Sequence, residues 1–493
     1  MEELDLNRPA KVYFMGIGGV SMSELALHLK ARGFTVTGSD GVRSSVTEML
    51  ESKGITVYSP QQAGNITDHE KPDFIVYTAA IHPDNPEMKA AEELDIPLYT
   101  RAGLLGQVMK AYGMPVAVAG THGKTTTTSM LSEMALMAGL DPTLFIGGVL
   151  PSVGGGYRDG KAELLIAEAC EYTNSFLEFH PGVGVILNID ADHLDFFKDI
   201  EDIRRSFRKF AGRIPDDGVL IINNSLDRLQ EFLEGITCRV VTFGVDDGEG
   251  FISGGVKAPD PGVGTLSGDE SETRVADYRA VDITYDEAAR ASYTLLSPGH
   301  PPMKVTLGVP GAHNVSNSLA AVAAFDLTGA DREKAAEALK AFTGAQRRLE
   351  YKGERDGIKV IDDYAHHPTE IRASLETAMK YEKNELWVIF QPHTYSRTKA
   401  LLEDFADALS IADHVVLPDI YAAREARDPE VSSELLSERI REKGGDAVYK
   451  GGLSEASRYV RDNAVPGDIV ITMGAGDVWK CIEEVLAGSA KRE

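Results

Sequence analysis

Short apolar runs alternate with longer segments of helical period along most of this chain. "AKVYFMG" is an apolar run closed by glycine, "VSMSELALHLKARG" carries helical spacing, and "FTVTGSD" is a second apolar run ending at Asp40. Strand, helix and strand within about thirty residues predict a βαβ unit of a parallel sheet. Further strands are expected at "DFIVYTAA" and "IPLYT". The pattern resets around "GQVMKAYGMP", where Gly113 and Pro115 mark a boundary. A second unit opens with "VAVAG" and carries the buried-strand runs "ELLIAEAC", "GVGVILNI" and "GVLIINN", which predict another doubly wound sheet. Residues 245 to 300, rich in Gly, Asp, Ser and Thr, read as short strands and loops added to that sheet. After the helical "HNVSNSLAAVAAFDLTG" and "REKAAEALKAF", a third α/β unit starts near Thr343, with strands at "GIKVIDDY", "ELWVIFQP", "DHVVLPDI" and "GDIVITM".

Length and charge narrow the function. A chain of 493 residues holds about three domains by the usual prior, so one site can be assembled between units. A net charge of −26 argues against nucleic acid or an anionic membrane surface as partner, so any phosphate site must be locally basic. Three widely spaced cysteines, Cys170, Cys238 and Cys481, suggest neither a disulfide framework nor a zinc site and fit a reducing cytoplasm. The chain opens acidic and runs straight into a strand, so no export signal is expected. Nor does it contain a run of about 18 apolar residues that could span a membrane.

The first turn holds Gly16, Gly18 and Gly19. A full dinucleotide fingerprint has a further glycine where Met22 stands, so the match is partial. A tight strand-to-helix turn explains the glycines equally, but Asp40 lies at the end of the second strand, where a ribose hydroxyl is normally held. Nucleotide or pyrophosphate binding is therefore expected, without naming the nucleotide.

The stretch "AVAGTHGKTTTTSML" is more specific. Gly123, Lys124 and Thr125 sit between a strand and a helix, where turn amides face phosphate, lysine reaches the outer phosphates and a threonine hydroxyl helps hold magnesium. The loop is shorter than the usual P-loop: the place of its first glycine is taken by Val118, and Gly120 stands later. ATP binding is the reading that uses strand, G-K-T and helix together. Glu168, closing "ELLIAE", and "NIDADHLD", with Asp190, Asp192 and His193, fall at the carboxyl ends of later strands, where open sheets bind ligands. Magnesium prefers oxygen, so His193 alone is a weak ligand.

In the third unit "DDYAHHPTEI" and "QPHTYSRTK" each follow a strand. Tyr364, His366, His367, His393, Arg397 and Lys399 are expected to form a cationic patch for an anionic substrate, with His367 and Lys399 individually read as loop residues. In "GAQRRLE", Arg347 and Arg348 stand at the entrance to this unit; one is placed to follow phosphate charge between units and the other reads as a surface residue.

In their order, "GIGGVSMS", "GTHGKTTTT", "EACEYTNSF", "NIDADHLD", "GAHNVSNSLAA", "GAQRRLE", "DDYAHHPTE" and "QPHTYSRT" resemble the Mur ligase family over nearly the whole chain, most closely its alanine-adding branch. The resemblance implies a three-domain α/β enzyme: a Rossmann-like UDP-sugar domain at 1–113, a central P-loop ATP domain at 114–343 and a Rossmann-like amino-acid domain at 344–493. It implies an ATP-dependent amide ligase that joins L-alanine to the carboxylate of UDP-N-acetylmuramate through an acyl phosphate, in peptidoglycan precursor synthesis, with two magnesium ions. Gly16, Gly18, Gly19, Ser39 and Asp40 would hold the UDP-sugar. ATP would be held by Gly120, Thr121, His122, Gly123, Lys124, Thr125 and Thr126, by Asn314 and Asn317 at adenine, and by Arg348 from the third domain. Thr125, Glu168 and His193 would serve the metal, and Tyr364, His366 and Arg397 the meeting of alanine and carboxylate. Lys124, His366 and Arg397 would be catalytic, with His366 the candidate general base. Two departures stand out. Where several relatives carry a lysine that becomes carbamoylated, this chain has Phe207, so no carbamoylation is expected. Thr394 stands where some relatives of the branch have arginine.

Rival readings differ in what they leave unexplained. A sister ligase that attaches a recycled murein tripeptide to the same UDP-sugar shares most motifs, and "DDYAHHP" and "HTYSRT" are closer to the alanine-adding pattern. A nicotinamide-dependent oxidoreductase leaves "GTHGKTTTT" without a role. A non-enzymatic ATP switch leaves the third-unit patch without one.

Overall fold

The computed structural model describes residues 4–487 apart from 7, 79, 195, 247–250, 253–255, 258–274 and 424. Three large sheets follow one another along the chain, besides a two-stranded antiparallel pair, Phe251–Ile252 with Val256–Lys257. The first is wholly parallel, in the order Thr56–Tyr58, Thr35–Ser39, Lys11–Met15, Phe74–Tyr77, Leu98–Thr100. Its last helix ends at Met109.

The second sheet has ten strands among the described residues. A parallel centre runs Arg239–Val245, Val219–Asn223, Val183–Ile186, Met114–Ala119, Leu164–Ala169, Thr143–Leu150. The edge at Gly155–Arg158 is antiparallel, as are the pairings among Tyr278–Tyr285, Arg290–Leu296 and Met303–Pro310 at the other side. The sheet is thus a parallel core with antiparallel additions, which is how the stretch from 245 to 300 joins it; part of that stretch lies outside the described residues. Helix Lys124–Met137 leaves the central strand Met114–Ala119 directly and is buried on most sides, so its apolar pattern is continuous rather than striped.

The third sheet orders Glu350–Arg355, Ile358–Asp363, Ile469–Met473, Leu386–Phe390, His414–Pro418, Ala447–Gly451, all parallel except the first strand. The carboxyl ends of Ile358–Asp363 and Leu386–Phe390 lead into the segments at 364–367 and 391–394, and His367 of the first reaches the central unit at the Ala191 carbonyl. Those ends, with those of Met114–Ala119, Leu164–Ala169 and Val183–Ile186, position the site.

Candidate active site

The loop 120–123 is held open by its neighbours. Thr121 N donates to the Asn188 carbonyl (3.2 Å), His122 N donates to Asn188 Oδ1 (2.7 Å), and Asp190 N donates to Thr121 Oγ1 (2.9 Å). Gly123, with φ +82°, caps the following helix without any side-chain cap, which leaves the first-turn amides for a ligand. A Cβ there would stand 2.4 Å from Asn317 Oδ1, so only glycine allows the loop to lie against that amide. Of the four threonines, Thr125 and Thr126 belong to the site and Thr127 and Thr128 turn into the interior, where their hydroxyls lack a partner.

Lys124 is folded back onto its own loop. Its Nζ donates to the carbonyls of Gly120 (2.5 Å) and Thr121 (3.0 Å) and to both oxygens of Glu171 (2.9 and 3.2 Å). Burial disfavours the ammonium, and the Glu171 carboxylate more than offsets that, so its pKa lies above the ordinary lysine value. Thr125 Oγ1 donates to Glu168 Oε2 (2.8 Å), which also accepts from Gly147 N (3.0 Å).

His193, the third residue of the expected metal trio, faces Glu171 and Asp192. Its Nε2 lies 3.8 Å from Glu171 Oε1 and 3.8 Å from Asp192 Oδ2, and no group of three His, Cys, Asp or Glu side chains able to hold a metal forms among the described residues. Burial lowers its pKa against the pull of Asp192 and Glu171, which keeps the ring neutral. Thr125 and Glu168 therefore meet, while His193 faces Glu171 and Asp192.

A cavity of about 240 Å³ opens between the second and third sheets, lined by His122, Gly123, Thr126, Asn314, Asn317 and Arg348 among others. Asn314 Nδ2 donates to the Pro310 carbonyl (2.7 Å) and Asn317 Nδ2 to Asn314 Oδ1 (2.9 Å), so both amides are fixed at the cavity wall. Glu370, from the third unit, closes it. Its carboxylate takes His122 Nδ1 (3.5 Å), Arg348 Nη1 (3.8 Å) and His366 Nδ1 (3.3 Å). Burial raises its pKa, and His366, His122 and Arg348 together bring it well below the ordinary value. His122 also stands 3.2 Å from Asp190 Oδ2, an ion-pair distance without hydrogen-bond alignment. Burial works against its charge, but Asp190 and Glu370 raise its pKa to about 9.

The expected cationic patch is instead a set of neutral imidazoles among matched ions. Burial lowers His366 and His393 to about 4 each. His366 Nδ1 faces the Tyr364 carbonyl at 3.1 Å, so that nitrogen carries the proton and Nε2 keeps its lone pair. Arg397 is paired across the units with Asp192 Oδ1, through Nε (3.3 Å) and Nη2 (3.1 Å), while its Nη1 donates to His393 Nδ1 (3.3 Å). His367 is buried rather than a loop residue: its Nδ1 accepts from Thr369 N at the helix start, and its Nε2 donates to the Ala191 carbonyl (3.1 Å) across the units. Lys399 is a surface residue, paired with Asp428 and Glu430. Arg347 is structural, donating to Asp362 Oδ2 (2.9 Å) and the Gly474 carbonyl (2.7 Å); Arg348 alone reaches the cavity, and both lie over the Tyr364 ring.

At the first turn, Gly16 N donates to the Ser39 carbonyl (2.8 Å) and Gly18 N to Asp40 Oδ2 (2.9 Å), while Gly19 stays open to solvent. Ser39 does not face a ligand with its side chain. It is fully buried, and its hydroxyl donates to Glu87 Oε2 (2.5 Å), so it supports the floor of the turn through a buried polar network. Phe207 is likewise fully buried, packed edge-on against Phe176. Glu171 and Glu370 were missed in the sequence. Their signals were a second glutamate three residues after Glu168 in "EACEY", and an acidic first turn after "HHP".

The Mur ligase family matches in three consecutive pieces: its catalytic domain at residues 11–113, the Mur ligase middle domain at 118–325 and the glutamate ligase domain at 347–476. A UDP-N-acetylmuramate--L-alanine ligase of Lachnospira eligens is 50% identical over 486 residues, covering 99% of this chain and 100% of that protein. The crystal structure of the UDP-N-acetylmuramate-alanine ligase of Thermotoga maritima superposes with a TM-score of 0.75 at 29% identity, over 97% of this chain and 98% of that one. A murein peptide ligase of Psychrobacter arcticus shares the fold, with a TM-score of 0.68 at 24% identity, 98% of this chain and 100% of that one.

Proposed function

The chain belongs to the Mur ligase family, and from that premise we propose that it joins the carboxylate of UDP-N-acetylmuramate to the amino group of L-alanine at the expense of ATP. The observation that carries this reading is a convergence. His122, Gly123 and Thr126 of the loop that carries Lys124 line one interdomain cavity with Arg348 and Glu370 of the third unit, His366 stands against Glu370 and Arg397 pairs with Asp192, in a chain half identical to a relative of that name.

Magnesium fits the donors present. Thr125 Oγ1 and a Glu168 oxygen lie 2.8 Å apart, and magnesium characteristically takes one or two protein oxygens, completing its shell with water and phosphate. A second ion would draw on the neutral His193. Bound there, magnesium would offset the repulsion between substrate carboxylate and triphosphate.

The protein's own part is to bind, orient and move protons. Asn314, Asn317 and Thr126 would seat the nucleoside, and Lys124 the outer phosphates. The substrate carboxylate then attacks the γ-phosphorus: an O–P bond forms, the bridging P–O bond breaks, and ADP leaves. The amine of alanine adds to the acyl phosphate and phosphate departs with its bonding pair. Alanine must lose a proton first. His366 Nε2 is free to accept one, although a ring whose pKa is about 4 is a weak base, which makes it a relay rather than a store. Arg397, held by Asp192, fixes the third unit's loop over the central sheet. The three cysteines are unpaired, in keeping with a cytoplasmic enzyme.

Phosphate release from ATP, measured with UDP-N-acetylmuramate plus either L-alanine or the L-Ala-γ-D-Glu-diaminopimelate tripeptide, tests the reading. Turnover with alanine and a product heavier by one alanyl residue is expected. Turnover with the tripeptide alone would assign the chain to the recycling ligases.

A further inference from the structure

Glu171 has no role in the chemistry above, yet it is the acid bound to the phosphate-binding lysine. Its side chain is 2% exposed, and both its oxygens accept from Lys124 Nζ. Its Oε1 also faces His193 Nε2 at 3.8 Å. The backbone that carries it is strained: Thr173 and Asn174 follow with φ of +54° and +59°, two successive left-handed residues that are not glycine. The turn is pinned from both sides. Asn174 Oδ1 accepts from Ser206 Oγ, and the Tyr172 ring lies 4.5 Å from that of His193. Strain of this kind persists where the surroundings over-determine a position, and the position it fixes here is that of Glu171 beneath Lys124.

Lys124 cannot keep this arrangement and also reach a phosphate. Its three donor hydrogens are already directed to two loop carbonyls and the carboxylate. A nucleotide without metal meets a lysine whose charge is matched and a buried carboxylate that repels it, with Glu168 close by. A nucleotide arriving with a divalent cation does not, since the cation supplies the missing positive charge.

We propose that Glu171 makes nucleotide binding at this loop conditional on a divalent cation, holding Lys124 on the loop carbonyls until metal and nucleotide arrive together. This makes Glu171 a positioning residue acting through Lys124, and it rests on the reading of the loop as the ATP site. The test is the binding of ADP by calorimetry, with EDTA and with saturating magnesium, to the full-length wild-type chain and to Glu171→Gln. The wild type is expected to bind ADP much more tightly with magnesium. Glu171→Gln is expected to bind metal-free ADP about tenfold or more tightly than the wild type does, so that its magnesium dependence shrinks by that factor. Glu171→Ser, which removes the charge without an amide, should do the same and guards against a folding defect peculiar to glutamine. A magnesium dependence unchanged in both folded variants overturns the proposal while leaving the ATP site intact. Failure of the wild type to bind ADP under either condition overturns the ATP reading with it.

Discussion

Gly123 and Lys124 are adjacent, and each has one job that its neighbours enforce. Replacing Gly123 by alanine would push a Cβ to 2.4 Å from Asn317 Oδ1 at a φ of +82°. The expected cost is about 1–3 kcal/mol of stability, with ADP affinity lost more than proportionately because Asn317 must move out of the cavity wall. Thermal unfolding and ADP titration of Gly123→Ala check this. Lys124→Ala is expected to abolish ligation, and near-normal turnover would refute the phosphate role. It should also destabilise the fold, by roughly 3 kcal/mol, because it strands the Glu171 carboxylate in the interior. The double variant Lys124→Met with Glu171→Gln should then recover much of the melting temperature and none of the activity.

At the scale of elements, the start of helix Lys124–Met137 and the start of helix Pro368–Ala378 are joined by charge. His122 precedes the first and Glu370 lies in the first turn of the second. With its pKa raised to about 9, His122 contributes stability that is fully present below an unfolded value near 6.5 and is lost as pH rises toward 9. His366 behaves in the opposite sense. Its folded pKa of about 4 lies below the unfolded value, so its neutral burial favours the fold at neutral pH and that advantage is lost between about 6.5 and 4. NMR titration should find His122 charged at neutral pH, and Glu370→Gln should bring its pKa down; an unshifted value would contradict the bridge. The elements themselves were legible where burial made the pattern strong. The central parallel strands that carry site loops are largely apolar runs, as in "VAVAG" and "ELLIAE". The hairpin Thr143–Leu150 with Gly155–Arg158 was not legible, because its glycines read as loop. A side chain at Gly147 would meet the Glu168 carboxylate at 2.4 Å, so the carboxylate would have to move away from Thr125. The edge strands Glu350–Arg355 and Ala447–Gly451 are half exposed, which removes the hydrophobic signal. Among the candidate site residues, the strand, glycine turn and helix start around Gly123 and Lys124 were legible from residue type and order alone. The pairing of Lys124 with Glu171 and the neutrality of His366 were not, since both arise from burial between segments distant in sequence.

For the whole molecule, the placement of the apolar cores decides what can move. One buried cluster runs without a break from Val12 and Phe14 of the first sheet to Phe176 and Phe210 of the central unit, so these two are welded together. The third unit keeps its own two clusters, on either face of its sheet. Its ties to the centre include the polar pairs Arg397 with Asp192, His122 with Glu370, and His367 with the Ala191 carbonyl. Polar interfaces of this kind permit rigid-body motion. Small-angle scattering of Arg397→Ala is therefore expected to give a larger radius of gyration than the wild type at the same ionic strength, and an identical profile would contradict this motion. No helix among the described residues is long and apolar enough to cross a membrane. The central claim is that the loop of Lys124 brings the γ-phosphoryl group of ATP to a substrate carboxylate between these units. Ligation run with UDP-N-acetylmuramate labelled with heavy oxygen in its carboxylate tests it most directly, by mass spectrometry of the phosphate released. One labelled oxygen carried into phosphate per alanine joined is the predicted result; unlabelled phosphate alongside normal product would contradict it.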